Sequence, residues 1–461
     1  MQDLKYLTKK KRFPDFVSSR PGQTNRRLSD ARNSAPRRSI LLSAKRRRQL
    51  LYLTLFLAVV LVMTPLCLFV LRKAPEAAEA LAAWFKTNPP QSTRIAEAAK
   101  QPATSPFEIA SLLLDSTTVS GDQLTASMDS GLILHYTIQA ALQKRVHDFM
   151  ADKKVPYGVF VAIEPSSGRI LAMTSYSSVN PNWERGAFFD LYPMASLFKI
   201  VTASAALENK RITPDTVMEF RGYSYSENPR HWETNPRGKN SRMDVSYAMG
   251  KSINPVYGRM AADVAGKACV MESVNKFGFN QSLLPGTPAK ESQAAEPQST
   301  HALMQMGAGL DHDVKISPLH AAVMIAAIAN GGRMMYPGLT DKVVEADGTA
   351  RETHTPREIR RPVSPETAAS LTRMLSSTVT TGTSRRAFHD RRGRPLLDVN
   401  VCAKTGSIDG TDPRGHYSWF AAFAPAQNPR IALVALVINQ DRWKIKSSQV
   451  GEQALEEFFE R

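Results

Sequence analysis

The longest uninterrupted apolar stretch of the chain runs from Leu50 to Leu71 and contains 22 residues without a charge. As a helix rising about 1.5 Å per residue it would span roughly 33 Å, which is enough to cross a hydrocarbon core of about 30 Å. The stretch is longer than the apolar part of a signal peptide, about 7–15 residues, and it does not end in a small-residue cleavage pattern. We therefore predict a transmembrane helix over residues 50–71 rather than a cleaved leader or a buried core helix.

Beyond residue 130 the apolar pattern is that of a compact domain. It predicts strands near both ends of this region, over 157–163, 170–173, 417–424 and 430–438, and helices over 138–149 and 452–459. The middle, about 190–380, is mostly helical in pattern and is interrupted at Gly and Pro residues. This arrangement favours an α+β fold, in which N- and C-terminal strands form one antiparallel sheet with flanking helices and the middle forms a mainly helical subdomain.

The positive charge of the protein is concentrated in one segment. The formal net charge is +17 over 461 residues, and residues 1–49 contain fifteen Lys and Arg against three Asp, so this segment carries twelve of the seventeen charges. Because the remaining residues are nearly balanced, a basic nucleic-acid-binding domain is excluded and we expect no nucleic-acid partner. The ordinary charged and apolar fractions also exclude a wholly disordered chain.

These features predict four segments. Residues 1–49 form a disordered basic tail, 50–71 the transmembrane helix, 72–130 an extracytoplasmic linker, and 131–461 the folded domain. The basic cluster at 45–48 directly precedes the apolar stretch, so the positive-inside rule places the tail in the cytoplasm and the folded domain outside it. The tail either binds anionic lipid headgroups or a cytoplasmic partner, or serves only as a topology signal.

Cysteine usage says little about function. The chain has three Cys, too few to hold a fold of this size together. Cys67 lies in the predicted transmembrane helix, which leaves Cys269 and Cys402 in the exported part. We expect these two to be separate thiols, although export to an oxidising compartment would permit a disulfide.

Candidate chemistry begins at Ser196 and Lys199. The sequence contains no HExxH, CxxC, P-loop, GxGxxG or GxSxG motif. Residues i and i+3 face the same way on a helix, so Ser196 Oγ and Lys199 Nζ could meet at the start of the helix predicted over 200–209. A lysine that is buried and lies near a second cation loses its proton more readily, and a neutral Lys199 could then take the proton of Ser196.

Two further motifs follow along the chain, Ser252-Ile253-Asn254 and Lys404-Thr405-Gly406. Each motif taken alone is weak evidence; for example, Ser273 and Lys276 repeat the Ser-x-x-Lys spacing elsewhere. The order of the three motifs is more specific. Ser-x-x-Lys, then Ser-x-Asn, then Lys-Thr-Gly is the pattern of penicillin-binding proteins and serine β-lactamases. The region 131–461 resembles the penicillin-binding protein transpeptidase family, in which Gly is usual at the position of Ala422.

The resemblance implies a D-Ala-D-Ala transpeptidase that cross-links peptidoglycan stem peptides and is inhibited covalently by β-lactams. Ser196 would be the nucleophile, Lys199 its base, and Ser252 a proton relay to the leaving amine. Asn254 would hold the substrate amide and Lys199, while Lys404 and Thr405 would bind the substrate carboxylate. Gly406 would let the substrate lie along the strand, and the backbone N–H groups of Ser196 and Ser407 would stabilise the oxyanion. No metal or cofactor is implied.

Alternative functions remain open at this stage. A D,D-carboxypeptidase or a β-lactamase would share the acyl-enzyme but transfer it to water, and a non-catalytic β-lactam sensor would keep it. The linker 72–130 is too short for a glycosyltransferase domain, so a separate glycosyltransferase is an expected partner. The expected location is the inner membrane of a bacterium.

Overall fold

The computed structural model describes residues 105–128, 131–440 and 443–460. The basic tail, the predicted transmembrane helix and the linker up to residue 104 lie outside these residues. Within the described ranges, no helix is long and apolar enough to cross a membrane.

Groups of strands are separated by helices along the chain. In order, the strands are Thr118–Ser120 (β1), Gln123–Ser127 (β2), Ile133–Gln139 (β3), Tyr157–Ile163 (β4), Ile170–Tyr176 (β5), Tyr192–Pro193 (β6), Val217–Phe220 (β7), Ser241–Asp244 (β8), Lys315–Ile316 (β9), Met334–Met335 (β10), Thr340–Val344 (β11), Ala350–Thr353 (β12), Glu358–Arg360 (β13), Cys402–Thr411 (β14), Arg414–Ala424 (β15) and Ile431–Asn439 (β16).

The α-helices are Pro106–Leu113 (α1), Ala140–Asp152 (α2), Lys199–Glu208 (α3), Val245–Lys251 (α4), Asn254–Arg259 (α5), Gly266–Lys276 (α6), Thr300–Ala308 (α7), Pro318–Ala329 (α8), Pro365–Thr380 (α9), Arg385–Phe388 (α10) and Ser447–Phe459 (α11). Short 3₁₀ turns join several of them, and the turn Ala195–Phe198 leads directly into α3.

The central sheet has the strand order β14-β15-β16-β4-β5, with every neighbouring pair antiparallel. It joins the two ends of the domain because β16 pairs with β4, from Ala432 opposite Ile163 to Ile438 opposite Tyr157. The predicted α+β fold, with its N- and C-terminal strands in one antiparallel sheet, is therefore confirmed. The strand β4 has the predicted bounds, whereas β15 begins three residues earlier than predicted, at Arg414.

Both faces of the central sheet are covered, which explains why its inner strands β4 and β16 are almost continuously apolar. Val159 and Val161 of β4 pack into the core beneath α8, while Phe160 and Ala162 pack against α2 and α11 on the opposite face. A strand with only one buried face would alternate between apolar and polar residues. The run of seven buried residues in β4 is therefore a consequence of helices on both sides.

A second sheet, in the order β1-β2-β3-β11-β12, contains residues that the sequence analysis assigned to the linker. Within the predicted linker 72–130, residues 105–127 form α1, β1 and β2, and β2 pairs with β3. Phe107 and Ala110 of α1 are buried, and the Tyr136 hydroxyl donates to the Ala110 carbonyl at 2.8 Å. Residues 105–128 thus belong to the folded domain, whose boundary lies earlier in the chain than the predicted residue 131.

The middle of the chain contains many helices, as predicted, but residues 334–360 contain the strands β10 to β13, which the sequence analysis did not predict. The helices α3 to α9 fall within it, and α5, α6, α7 and α9 pack against α3, whose residues from Lys199 to Leu207 are all buried. Cys269 and Cys402 are both free thiols, as expected. Burial raises the pKa of Cys402 to about 12, so this thiol stays protonated at neutral pH.

Candidate active site

Ser196 lies in a tight turn that is fixed from two sides. The preceding strand β6 pairs with β9, and the Met194 N–H donates to the Val314 carbonyl at 2.9 Å. On the other side, the indole N–H of Trp419 in β15 donates to the Pro193 carbonyl at 2.8 Å. Ala195 has a φ of 53°, an unfavourable value for a residue with a Cβ. The surrounding contacts therefore hold the backbone in a conformation that places Ser196 at the start of α3.

Lys199 is completely buried and lies at the centre of the cluster. Its Nζ is 2.8 Å from Ser196 Oγ and 2.9 Å from Asn254 Oδ1, and it also contacts the carbonyl oxygen of Ala308. Burial lowers the pKa of Lys199 well below its ordinary value, and the positive charge of Lys404 lowers this pKa further. The site therefore favours the neutral amine, which is the form that can act as a base.

The three contacts match the bonding capacity of a neutral lysine. A neutral amine has two N–H donors and one lone pair. Asn254 Oδ1 and the Ala308 carbonyl are acceptors, so they take the two N–H groups. In this neutral form the lone pair can accept a hydrogen bond from the Ser196 hydroxyl, whereas in the charged form Nζ donates to Ser196 Oγ. This arrangement can withdraw the hydroxyl proton as Ser196 attacks an electrophile.

Ser252 and Lys404 form a second pair beside the first. Ser252 ends α4 in the left-handed conformation, with a φ of 58°, and this turns its side chain away from the helix. Lys404 is fully buried, and its Nζ donates to Ser252 Oγ at 2.8 Å and to the Thr405 carbonyl at 2.7 Å. Burial lowers the pKa of Lys404 to about 7. The Ser252 hydroxyl is thus hydrogen-bonded to a group that can gain or lose a proton near neutral pH.

Asn254 is held by the loop between β7 and β8. Its backbone N–H donates to the Ser224 carbonyl at 2.9 Å, and its Nδ2 donates to the Ser226 carbonyl at 3.3 Å. These bonds fix the orientation of the side-chain amide, so that Oδ1 faces Lys199. An amide side chain suits this position because it can accept from Lys199 and donate to the Ser226 carbonyl at the same time.

Thr405, Gly406 and Ser407 lie on β14, the edge strand of the central sheet. An edge strand has free backbone groups that can pair with an extended peptide. A Cβ at position 406 would lie 3.1 Å from the Ala195 Cβ and 3.1 Å from the Trp419 Cβ, so glycine allows the strand to approach the Ser196 turn closely.

The structure therefore brings the predicted residues together around one cleft. Ser196, Lys199 and Asn254 are in direct contact, Ser252 and Lys404 form the neighbouring pair, and the three β14 residues border them. The Ser273/Lys276 pair is not part of this cluster. Lys276 is half-exposed at the end of α6, where its Nζ pairs with Glu272 at 2.8 Å.

Sequence reasoning missed two contributions to the cleft. The Ala308 carbonyl, which contacts Lys199, is a backbone group and leaves no residue-type signal. Thr383 was not singled out, yet its Oγ1 lies 2.6 Å from Thr405 Oγ1. An isolated threonine in a loop has no spacing pattern that would reveal such a contact.

Comparisons with known proteins agree with this geometry. The family described as penicillin binding protein transpeptidase domain matches residues 158–460. The peptidoglycan D,D-transpeptidase PbpA of Mycolicibacterium smegmatis is 29% identical over 320 residues, which cover 61% of this chain and 61% of that protein. PbpA of Mycobacterium tuberculosis is 29% identical over 315 residues, which cover 61% of this chain and 62% of that protein. The matched region thus spans about three fifths of the length of these relatives.

Solved structures are also similar. The crystal structure of PBPA from Mycobacterium tuberculosis superposes with a TM-score of 0.58 at 26% identity, over 70% of this chain and 81% of that chain. The ceftriaxone acyl-enzyme complex of the same relative superposes with a TM-score of 0.58 at 27% identity, over 70% of this chain and 79% of that chain. Because the family match covers well over half of the residues and includes the whole cleft, the chain belongs to the penicillin-binding protein transpeptidase family.

Proposed function

We propose that this protein is a peptidoglycan D,D-transpeptidase that works through an acyl-enzyme on Ser196. The observation that carries the proposal is the completely buried Lys199, whose Nζ lies 2.8 Å from Ser196 Oγ and whose pKa is lowered by burial and by Lys404. The names of the relatives, which describe D,D-transpeptidases and a β-lactam acyl-enzyme, support the same reaction class.

The first half of the reaction is acylation. Ser196 Oγ bonds to the carbonyl carbon of the penultimate D-alanine while its proton moves to Lys199 Nζ. The backbone N–H groups of Ser196 and Ser407 stabilise the oxyanion that forms. The bond to the terminal D-alanine then breaks, and the Ser252 hydroxyl, 2.8 Å from Lys404 Nζ, relays to the leaving amine the proton that Lys199 took from Ser196.

Substrate binding uses the remaining residues of the cleft. The stem peptide pairs with β14 as an added strand, which Gly406 permits by lacking a Cβ. The terminal carboxylate binds the Thr405 hydroxyl and the charged form of Lys404, while Asn254 holds the substrate amide. A carboxylate beside Lys404 favours its charged form, which in turn favours the neutral form of Lys199.

The second half of the reaction distinguishes the alternatives. In a transpeptidase the amine of a second stem peptide attacks the ester, forms the cross-link and returns a proton to Ser196. In a carboxypeptidase or β-lactamase water takes the place of that amine, and in a sensor the acyl-enzyme persists. The family match and the relatives' names favour the transpeptidase.

The proposal predicts a stable penicilloyl adduct on Ser196. We expect the full-length protein in detergent to gain the mass of one penicillin, to lose this gain in Ser196→Ala, and to release the adduct slowly, because a transpeptidase excludes water. Intact-protein mass spectrometry measures the mass gain and the rate at which it is lost, and peptide mass spectrometry locates the adduct. Labelling equal to wild type in Ser196→Ala would contradict the proposal, and many turnovers per second would identify a β-lactamase.

The same preparation tests the acceptor and the partner. With a stem pentapeptide and an acceptor amine, the released D-alanine should be accompanied by cross-linked product. Release of D-alanine without any cross-linked product would mean that water is the acceptor and would identify a carboxypeptidase.

We propose that a separate glycosyltransferase supplies the glycan strands. Cross-linking of lipid-linked precursor should then require an added glycosyltransferase, and cross-linked glycan formed without one would contradict this part.

We also propose that residues 50–71 anchor the protein in the bacterial inner membrane with the catalytic domain outside the cytoplasm. Support comes from the 22 uncharged residues between Leu50 and Leu71 and from the basic cluster before them. The full-length protein should resist carbonate extraction, and protease added outside spheroplasts should remove the domain but not the basic tail. A mature N-terminus beyond Leu71 would contradict this topology.

A further inference from the structure

The short loop after α9 connects two parts of the active site. Within it, the Thr383 N–H donates to the Gly250 carbonyl at 3.0 Å, near the end of the helix that carries Ser252. A Cβ at position 382 would lie 2.2 Å from the same Gly250 oxygen, so only glycine allows this close approach. The loop is therefore seated directly on the Ser252 side of the cleft.

The same loop reaches the strand on the other side of the cleft. Thr383 Oγ1 lies 2.6 Å from Thr405 Oγ1, and both side chains are partly buried. This distance is that of a short hydroxyl–hydroxyl hydrogen bond. Thr383 is thus joined through its backbone to the Ser252 helix and through its side chain to β14.

The substrate determines which hydroxyl donates. A carboxylate has only acceptor atoms, so Thr405 must donate its single proton when it binds one. The Thr405 oxygen can then only accept from Thr383. The hydrogen bonds therefore have one direction: Thr383 donates to Thr405, and Thr405 donates to the carboxylate. Hydrogen bonds in such a chain polarise and strengthen one another.

We propose that Thr383 is a positioning residue that orients the Thr405 hydroxyl toward the substrate carboxylate. The inference rests on the proposed function, because it requires a substrate with a carboxylate next to the scissile amide. Thr383 does not itself touch the substrate in this role. Its hydrogen bond restricts rotation of the Thr405 side chain before the substrate arrives, and it accommodates donation by Thr405 to the carboxylate once the substrate has bound.

The test uses the full-length protein and two ligands, penicillin G and its methyl ester, which lacks the negative charge. Thr383→Val keeps the side-chain shape and removes the hydroxyl. We expect it to weaken the noncovalent complex with penicillin G about three- to tenfold, the effect of one hydrogen bond, while the rate of acylation at saturation changes less than about twofold. With the methyl ester the loss should shrink to less than about twofold, and Thr383→Ser should restore wild-type binding of penicillin G.

Thr381→Val is the matched control, since the Thr381 hydroxyl donates to the Ser377 carbonyl at the end of α9. It removes a hydroxyl from the same loop and should leave both ligands unaffected. In a Thr405→Val background, Thr383→Val should have no additional effect. Thr383→Ala provides a second hydroxyl-free variant if the valine variant is unstable by thermal unfolding.

Each outcome decides the question. Equal losses with penicillin G and its ester, or no loss with either, would overturn the positioning role. An additional loss in the Thr405→Val background would also overturn it, because the effect would not pass through Thr405. If the wild-type protein is not acylated at Ser196 at all, the proposed function fails and this inference fails with it, a result that the wild-type sample alone reveals.

Discussion

Replacing Lys199 by alanine is expected to lower the second-order rate of penicillin acylation by about 10²–10⁴-fold, the usual effect of removing a general base. Lys199 Nζ is the group 2.8 Å from Ser196 Oγ, and burial with the charge of Lys404 lowers its pKa so that it can take the proton. Protonation removes this base, so acylation by the wild-type protein should also fall as the pH is lowered. Stopped-flow or time-resolved labelling with a fluorescent penicillin measures the rate.

Lys276→Ala is the control for this experiment because Lys276 follows Ser273 at the same spacing at which Lys199 follows Ser196, but Lys276 is not buried. Its Nζ pairs with Glu272 on the surface, and an exposed substitution costs within about 0.5 kcal/mol. We expect acylation to change less than about threefold. Circular dichroism and thermal unfolding show whether each variant is folded. Near-normal acylation by a folded Lys199→Ala protein would rule out Lys199 as the base.

The central sheet could be predicted from sequence because its signals are local. The strands β4 and β16 are runs of seven and nine buried residues, apolar except for Asn439 at the end of β16, and they are bounded by turn residues. Such runs are typical of strands that are covered on both faces. Their lengths are too short for helices of ordinary size, so periodicity and length lead to the same prediction.

The second sheet could not be predicted in the same way. The strand β3 pairs with β11, which lies about 200 residues later in the chain, and β1 and β12 are exposed throughout. Short strands with solvated faces carry almost no hydrophobic pattern, and their pairing depends on contacts far apart in sequence. For this reason residues 105–128 resembled a linker, although Leu124 and Ala126 are buried.

The candidate site likewise combines contacts that local sequence spacing predicts with contacts that depend on long-range packing. Ser196 and Lys199 are neighbours through local helical geometry, and the spacing alone predicts their contact. The proximity of Lys404 to Ser252, by contrast, depends on how α9 packs against both α4 and β14, and the resemblance to a family was needed to anticipate it. The Ala308 carbonyl and Thr383 carry no distinguishing pattern, so their roles become visible only when the folded cleft is described.

Gly309 gives the second large effect that we expect. It ends α7 with a φ of 72°, and a Cβ there would lie 2.2 Å from the Ala195 oxygen and 2.8 Å from the Ser196 Cα. Neither atom can move aside as a flexible side chain would, because both belong to the backbone of the turn that holds Ser196. In Gly309→Ala either this turn shifts or α7 retreats, and the second movement withdraws the Ala308 carbonyl from Lys199. A displacement of about 1 Å at reacting groups costs on the order of 10²-fold in rate, which is the expected loss of acylation.

Gly331→Ala separates this steric effect from the cost of the backbone conformation. Gly331 also has a positive φ, 61°, but a Cβ there meets nothing within 4 Å. Both substitutions cost about 1–2 kcal/mol of stability for an alanine in the left-handed region, whereas only Gly309→Ala also places a Cβ against the turn that holds Ser196. We therefore expect both proteins to lose thermal stability and only Gly309→Ala to lose acylation, measured with fluorescent penicillin below the unfolding temperature of both. Equal acylation by the two variants would mean that the close approach of α7 to the Ser196 turn does not position the nucleophile.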